Sequence, residues 1–357
     1  MSAVVDAPSA GLLSFVSPSP AQIARARTRL HGKAALIGSA ALSSYSVLVF
    51  AHVGVVARLA AALVLTLALV AVATGIMHDA NHSAFVRSPR LNRLVGCTAD
   101  LLGASSTLWR FTHNNLHHGN TNVPGVDPDI DQSPFGRLTS DQVWRPWHRF
   151  QHVYMWLLYG FLALRWFLIS DFVELTRPAS SRPSSRRPRR GAAAGVLVGK
   201  AAHASWALLL PFAFHRWWMV LVFYLACSWL VGFSLAVLFQ LAHCNDAVSF
   251  VSAGEPRRGE DYVLHQLSTT ADVRCATPLL GPVFAWLAGG LHHQIEHHLA
   301  PRLPHTIYPL VAARLRHACP ERGLPYELHA SVGSAIASHA RWLYRMGRRP
   351  AATLTPG

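Results

Sequence analysis

Four long apolar segments constrain the fold of this 357-residue chain more than any other feature. Residues 34–53 and 57–77 form an early pair, and residues 196–214 and 217–240 form a late pair. Each segment has about the 20 residues that a helix needs to cross a bilayer. They also account for a composition with only 14% charged residues, where soluble domains have about a quarter. We therefore predict an all-α integral membrane protein with about four transmembrane helices.

A fifth apolar stretch, residues 153–170, carries Arg165 between polar runs, which is typical of a helix at the membrane interface. The run RPSSRRPRR within residues 178–192 has the Arg, Pro and Ser content of a flexible segment near anionic lipid. No cleaved signal peptide is expected, because the N-terminal residues have no apolar core followed by a cleavage site. The expected organisation is a cytoplasmic N-terminal tail (1–33), a membrane domain (34–315) and a cytoplasmic C-terminal tail (316–357).

The basic residues predict the orientation of the spans. All but three of the 32 Lys and Arg residues lie before the first span, between the second and third spans, or after the fourth. The exceptions are Arg58, Lys200 and Arg216. The positive-inside rule then places these three large segments and both termini in the cytoplasm. Only two of the basic residues are lysines, which is typical of a GC-rich bacterium. Because topology accounts for the net charge of +15, we expect a bacterial plasma-membrane protein with no nucleic-acid partner.

Histidines gather in three motifs on the predicted cytoplasmic side: HDANH at 78–82, HNNLHH at 113–118 and HHQIEHH at 292–298. Residues four apart share one face of a helix, so each motif can direct several imidazoles to one centre. Eight candidates exceed the three or four ligands of one ion and suit two ions of iron, copper, zinc or nickel. The candidate ligands are His78, His82, His113, His117, His118, His243, His297 and His298.

The third motif has two faces if it is a continuous helix. At about 100° per residue, four of its side chains point one way, whereas His292 and Glu296 point the other way. Only the first face can contribute to a common centre, so the motif alone is not a metal site. The side chains predicted on that face are His293, Gln294, His297 and His298.

With HDANH, HNNLHH and QIEHH in place, the sequence resembles the membrane fatty acid desaturases, over roughly residues 35–315. The surrounding GGLHHQIEHHLAPRLPHTIYPLV, the upstream HQLSTTADV and GVDPDID resemble the acyl-lipid, front-end-type branch, whose third box begins with Gln. The resemblance implies that a cytoplasmic helical region carries a di-iron site, which is itself the catalytic group, with no separate acid or base. The implied ligands are the eight candidates, with His243 as the isolated histidine, and Gln294 at the first position of the third box.

The resemblance also implies the reaction and its partners. With O₂ as co-substrate, two hydrogens leave an acyl chain to give a cis double bond and water. The acyl chain can be carried by a lipid, coenzyme A or a carrier protein. The chain has no His-Pro-Gly-Gly haem signature, no iron–sulfur cysteine run and no G-x-G-x-x-G motif, so we expect electrons from a separate ferredoxin or flavin-dependent reductase. We expect that donor to dock on the Arg-rich cytoplasmic face.

Three positions depart from the usual pattern of the family: His293 where an aromatic residue is common, Asp272 where Asn is usual, and Ala300 where Phe is usual. His293 is therefore a possible additional ligand or a partner of the ligands. Polar neighbours could likewise orient the imidazoles, or could equally cap helices or face solvent. These neighbours are Asp79, Asn81, Asn114, Asn115, Asp127, Asp129 and Glu296.

Three other functions remain open on the sequence. A hydroxylase on the same scaffold has the same histidine boxes, since both reactions begin with hydrogen abstraction. An intramembrane zinc protease would use the H-x-x-x-H frame of HDANH, although Asp stands there in place of the catalytic Glu. A membrane metal carrier would place polar ligands within its spans, which are nearly free of them here.

Overall fold

The computed structural model describes residue 9 and residues 11–177, 191–251 and 262–350. The predicted flexible segment 178–192 therefore lies almost entirely outside the described residues. The helices are α1 (Leu12–Val16), α2 (Pro20–Phe50), α3 (Val55–Asn81), α4 (Pro89–Gly96), α5 (Thr98–Leu101), α6 (Ser106–Phe111), α7 (Gln151–Tyr159), α8 (Leu162–Thr176), α9 (Ala192–Phe214), α10 (Trp217–His243), α11 (Tyr262–Thr269), α12 (Leu280–Leu287), α13 (Gln294–Leu299), α14 (Tyr308–Glu321) and α15 (Val332–Gly347). The strands are β1 (Asp272–Val273) and β2 (Leu328–His329), which pair in parallel.

Within the described residues, four helices are long and apolar enough to cross a membrane: α2, α3, α9 and α10. Their outer faces carry apolar side chains that no protein group covers, such as Val56, which is 83% exposed. Such a surface is stable only in contact with lipid. The all-α membrane fold with four spans is confirmed, and the protein is a multi-pass integral membrane protein.

The first span begins earlier than its apolar segment. Ser19 caps α2 by accepting from the Gln22 amide, and the Gln22 side chain accepts from the Ser19 amide in return, with Pro20 in the first turn. The 31-residue helix exceeds the length of a span. Its N-terminal end therefore projects beyond the apolar segment, and buried Ala26 shares a core with Leu12 of α1. Much of the predicted N-terminal tail is thus packed structure.

The predicted interfacial stretch is helical but not continuous. Helix α7, with the preceding 3₁₀ turn Pro146–Phe150, meets α8 at an angle of 74°. Gly160 lies at the bend, where a side chain would overlap the indole of Trp229 in α10. Backbone contact between Gly160 and Gly232 brings the bent pair directly against the fourth span. Apolar composition alone could not reveal this bend.

The C-terminal segment packs against α7 and against the end of α10 that carries His243. Helix α15 packs beside α7: the Gln151 amide donates to the Leu343 carbonyl at 2.8 Å, and the Trp342 indole donates to the Leu138 carbonyl at 2.9 Å. The predicted tail 316–357 is therefore largely folded against the rest of the protein within the described residues. Together with α11, α13 and α14, it forms a helical cap on which the third histidine motif lies.

Candidate metal centre

The first histidine motif stands at the C-terminal end of α3. The helix widens into a π-helical turn at Val72–Met77, immediately before His78. Such turns are rare and frequently occur at functional sites. His78 begins the last helical turn, and His82 follows its end, with the two rings 4.7 Å apart. The i, i+4 pairing predicted from HDANH is present.

The second motif also lies on a π-helical turn, Thr112–His117, which continues α6. The amide of His118 donates to the carbonyl of His113 at 3.0 Å, five residues back. This wider turn brings the ring of His113 within 5.0 Å of His117 and 4.8 Å of His118. All three imidazoles can therefore contribute to one centre.

Two glycines bring the third motif against the first. Gly289 has φ +57°, and a Cβ at this position would come within 2.8 Å of the backbone of Thr74 and Gly75. Gly290 has φ +79°, and its Cβ would come within 2.7 Å of the side chain of His305. Glycine tolerates both the left-handed conformation and the close approach. The Thr74 hydroxyl donates to the Leu287 carbonyl at 2.6 Å and holds the contact.

The structure brings the eight predicted histidines together in a buried cluster, in which all of them are below one-tenth exposed. One group consists of four histidines, His78, His82, His113 and His297, and a second group consists of three, His117, His243 and His298. Within each group, one potential ligand atom from each residue lies within 4.8 Å of the others. His118 forms a further group of this kind with His297 and His298, so it lies close to both.

Several ring nitrogens of this cluster are buried without a hydrogen-bond partner. They are His78 Nε2, His82 Nε2, His118 Nδ1, His297 Nε2 and His298 Nε2. Burying a polar atom without a partner is costly, so such atoms are rare unless a ligand satisfies them. Neutral imidazole nitrogens are good ligands for transition metals. The donor set therefore fits metal ions divided between the two groups.

The other ring nitrogens of three histidines have partners that fix the rings. The Nδ1 of His117 lies 3.1 Å from both carboxylate oxygens of Asp127. The Nδ1 of His298 lies 2.8 Å from the side-chain oxygen of Gln266. The Nδ1 of His297 lies 3.2 Å from the hydroxyl of Tyr308. A partner on Nδ1 directs Nε2 to a metal, and a carboxylate partner also makes the imidazole a stronger ligand.

Burial sets the protonation of most of these rings. Desolvation and the neighbouring imidazoles hold the pKa of His118, His297 and His298 well below the usual value, so these rings are neutral at pH 7. Burial also opposes protonation of His117, but the charges of Asp127 and Asp129 raise its pKa to about 9. In the absence of metal, one charged ring thus stands beside several neutral ones.

The predicted polar neighbours of the histidines make different contacts. Asp79 accepts from the amide of His305 at 3.0 Å and lies 2.9 Å from the Nδ1 of that ring. An oxygen of Asp129 lies 3.6 Å from His113 Nδ1 and from His117 Nδ1. Gln294 lines a narrow space among the rings together with His78, His113, His117, Asp129, Phe239, His243, Leu291 and His297.

The three asparagines do not contact the imidazoles. Asn81 donates to the Gly96 carbonyl at 3.1 Å and accepts from the Arg110 guanidinium at 2.7 Å. Asn114 donates to the Asn81 carbonyl at 3.0 Å, and exposed Asn115 donates to the Arg110 carbonyl at 3.5 Å. The contacts of Asn81 and Asn114 tie the first two histidine motifs to each other.

The predicted orientation of His293 is wrong. Helix α13 begins at Gln294, and His293 precedes it with φ −111° and ψ 64°, outside the helical region. The angular spacing of a helix therefore does not extend to this residue. His293 Nδ1 lies 3.4 Å from Asp272 and 3.7 Å from Glu296, in a separate group from the eight histidines.

Four further residues support the centre but were missed in the sequence. Gln266 holds His298 and also donates to the His118 carbonyl at 3.1 Å. Thr121 donates to the Gln266 side chain, and Asn122 donates to the His243 carbonyl at 2.8 Å. Tyr308 contacts His297. Gln266 and Tyr308 lie in the quoted HQLSTTADV and PRLPHTIYPLV stretches, so their motifs were visible whereas their contacts were not.

Comparison with known proteins agrees with this geometry. Residues 54–329 match the model of the fatty acid desaturase family. The sn-1 linoleoyl-lipid 6-desaturase of Synechocystis is 32% identical over 86% of this chain and 85% of its own length. The enzyme of the same name from Arthrospira platensis is 30% identical over 89% and 86%. An acyl-lipid (8-3)-desaturase of Physcomitrium patens is 31% identical over 77% of this chain and 58% of its own length. With its three histidine motifs in one buried cluster and four candidate membrane spans, the chain belongs to the fatty acid desaturase family.

Proposed function

We propose that this desaturase introduces a cis double bond into the acyl chain of a membrane lipid, with two iron ions bound by the histidine cluster. The two buried groups of histidines, several of whose ring nitrogens have no hydrogen-bond partner, carry the proposal. In the reaction, the acyl chain of the substrate loses two hydrogens, one from each of two adjacent carbon atoms. Two electrons from a donor and two protons combine with these hydrogens to reduce one O₂ to two waters.

Some residues of the protein would hold the metal ions, and others orient the side chains that hold them. The eight histidines would bind the ions, and Gln294 lies where it can complete one group. Asp127, Gln266 and Tyr308 fix three of the rings. Bound iron would supply the activation of O₂, which no protein side chain supplies by itself. The burial of the cluster excludes bulk water from the reacting carbon.

The relatives support a lipid as the acyl carrier. The names of the Synechocystis and Arthrospira enzymes specify a linoleoyl lipid, and that of the Physcomitrium enzyme specifies an acyl lipid. A carrier embedded in the bilayer also suits an active centre at the ends of membrane spans. We therefore propose an acyl lipid rather than a coenzyme A ester or a carrier-protein thioester.

A separate ferredoxin or flavin-dependent reductase is proposed as the electron donor, docking on the cytoplasmic cap. Exposed arginines lie on the elements that pack over the centre: Arg25, Arg29, Arg302 and Arg316. An acidic partner would be attracted to this face, and salt would screen the attraction. Reduction rates that do not change with ionic strength would contradict this docking.

Expression in a bacterial host with a ferredoxin pair, followed by mass spectrometry of total acyl chains, tests the function. We expect new cis-unsaturated chains with the wild type and none with the His297→Ala variant. New hydroxylated chains instead would identify a hydroxylase. New unsaturation that survives in His297→Ala would contradict the assigned site.

A further inference from the structure

A second cluster of ligand-type side chains lies beside the histidine centre. Asp272 is on β1, His293 immediately precedes α13, and Glu296 is in the first turn of that helix. One nitrogen or oxygen atom from each lies within 4.8 Å of the other two. None of these atoms belongs to the groups formed by the eight histidines.

The cluster holds two fully buried carboxylates. The side chains of Asp272 and Glu296 are 0% exposed, and that of His293 is 12% exposed. Within the described parts of the chain, no lysine or arginine makes an ion pair with either carboxylate. Two adjacent buried carboxylates repel each other unless a positive charge or a proton joins them.

One carboxylate oxygen also lacks a partner. Asp272 accepts from the Ile295 amide at 3.0 Å and from the Tyr326 hydroxyl at 2.7 Å. The same hydroxyl lies 2.9 Å from Glu296 Oε1, but its one proton can serve only one of them at a time. Glu296 Oε2 is buried and accepts from no N–H or O–H group of another described residue, so only a proton shared with Asp272 or a bound cation would satisfy it. The Nε2 atoms of His297 and His298 in the neighbouring centre are likewise buried without a partner.

The distances suit a metal ion. His293 Nδ1 lies 3.4 Å from an oxygen of Asp272 and 3.7 Å from Glu296 Oε2. With metal–ligand bonds of about 2.1 Å, two ligands at a tetrahedral angle lie about 3.4 Å apart. Two carboxylates and one imidazole are a mixed donor set that suits Mn²⁺, Fe²⁺ or Zn²⁺. The set would leave an open position for a fourth ligand.

We propose that Asp272, His293 and Glu296 bind a divalent first-row transition cation, separate from the ions of the histidine centre. The bound cation joins β1 to the start of α13, and so fixes the helix that carries His297 and His298. Asp272 and His293 are two of the three departures from the family pattern. Their contact in space gives both departures one explanation.

Mn²⁺ binding to the purified full chain, loaded with no more than two equivalents of iron, tests the proposal. Imidazole-rich groups prefer iron, whereas carboxylate oxygens suit Mn²⁺, so limiting iron fills the histidine groups first and Mn²⁺ does not displace it there. Electron paramagnetic resonance of free Mn²⁺ then counts the bound ion. We expect one bound equivalent with the wild type and at least about tenfold weaker binding with Asp272→Asn and with His293→Phe. The matched control Asp246→Asn, which changes an aspartate paired with Arg341, should bind like the wild type.

A second measurement uses only the wild type, in case a variant does not fold. Electron spin-echo modulation of bound Mn²⁺ should show one directly coordinated imidazole nitrogen. Modulation from several imidazoles would place the ion in the histidine centre and overturn the proposal. No Mn²⁺ binding by the wild type, or equal binding by Asp272→Asn, would overturn it as well and would leave the carboxylates joined by a proton. These results do not depend on desaturase activity.

Discussion

Two buried polar clusters lie on opposite sides of the same short helix, α13. On one side, His297 and His298 meet the other histidines in a cluster rich in neutral imidazoles. On the other side, Glu296 meets Asp272 and His293, with two carboxylates for one ring. Both clusters contain unpartnered atoms, but they differ in the charge that they bring to a cation.

The difference shows how one motif can serve two purposes. Neutral imidazoles bring no charge of their own, so ions bound in the first cluster would keep most of their positive charge, reduced only by the nearby carboxylates of Asp127 and Asp129. The two carboxylates of the second cluster would neutralise a bound divalent cation, which suits a fixed structural role. If removal of a residue from either cluster had the same effect on activity, the two clusters would not differ in role.

Removal of a histidine from the first cluster should have the largest effect. His297→Ala should lower product formation at least about 100-fold, since even partners outside a ligand set contribute about 10–100-fold. His293→Phe, in the second cluster, should lower it less than about tenfold. The measurement is mass spectrometry of acyl chains at equal protein expression. Equal losses in the two variants would remove the distinction between the clusters.

Acid should destabilise the metal-free protein through the first cluster. The pKa of His82, His113, His118, His297 and His298 lies below the usual 6.5, chiefly because burial disfavours the charged ring. Below pH 6.5 the unfolded chain therefore binds protons that the folded chain does not, and stability falls as pH falls. The slope should reach up to about 1.4 kcal/mol per pH unit for each such ring. Thermal unfolding of the chelator-treated protein measures it.

His117 should respond in the opposite sense. Its pKa is raised to about 9, so it contributes stability below pH 6.5 that is lost as pH rises toward 9. In Asp127→Asn, the loss of stability between pH 6.5 and 9 should be smaller. Stability that rises on acidification from pH 6.5 to 5 would contradict the neutral state of the other rings.

Gly289→Ala should separate the third motif from the first. The left-handed φ costs about 1–2 kcal/mol, and overlap with the backbone of Thr74 and Gly75 costs about 1–3 kcal/mol more. Gly323→Ala is a matched control, because Gly323 has φ +64° but open space around its Cβ position. In thermal unfolding, the control should lose only the stability that the left-handed φ costs. Equal melting temperatures would mean that the close packing is not needed.

Asp127→Asn should weaken metal binding without removing a ligand. The carboxylate lies 3.1 Å from His117 Nδ1 and makes the ring a stronger ligand. We expect iron affinity to fall about 10–100-fold in chelator competition. Asp246→Asn should leave the affinity unchanged, because Asp246 pairs with Arg341 and Arg345 away from the cluster. An unchanged affinity in Asp127→Asn would show that the charge of Asp127 does not matter.

Arg341→Ala should have the smallest effect. Its guanidinium lies 2.8 Å from Asp246, but the arginine side chain is 63% exposed, so water and salt screen the pair. Loss of the pair should cost less than about 1 kcal/mol in chemical denaturation. A larger cost would mean that exposed charge pairs matter as much here as the buried clusters.

The sequence predicted the features that depend on local composition. Long apolar segments indicate spans, because lipid imposes their length, and the density of histidine indicated the eight residues that meet in the cluster. Contacts between distant segments could not be predicted in this way. The bend at Gly160 depends on Trp229, and the ring of His298 depends on Gln266. His293 was misplaced because helical spacing was applied to a residue that lies before the helix.

Iron content tests the central claim most directly. Purified wild type should hold two iron ions in its histidine groups, whereas His82→Ala and His243→Ala should each lose one of them, because these residues lie in different groups. The double variant should lose both. Inductively coupled plasma mass spectrometry at equal protein concentration provides the count. Wild-type iron content in both single variants would contradict an iron centre built from these two groups.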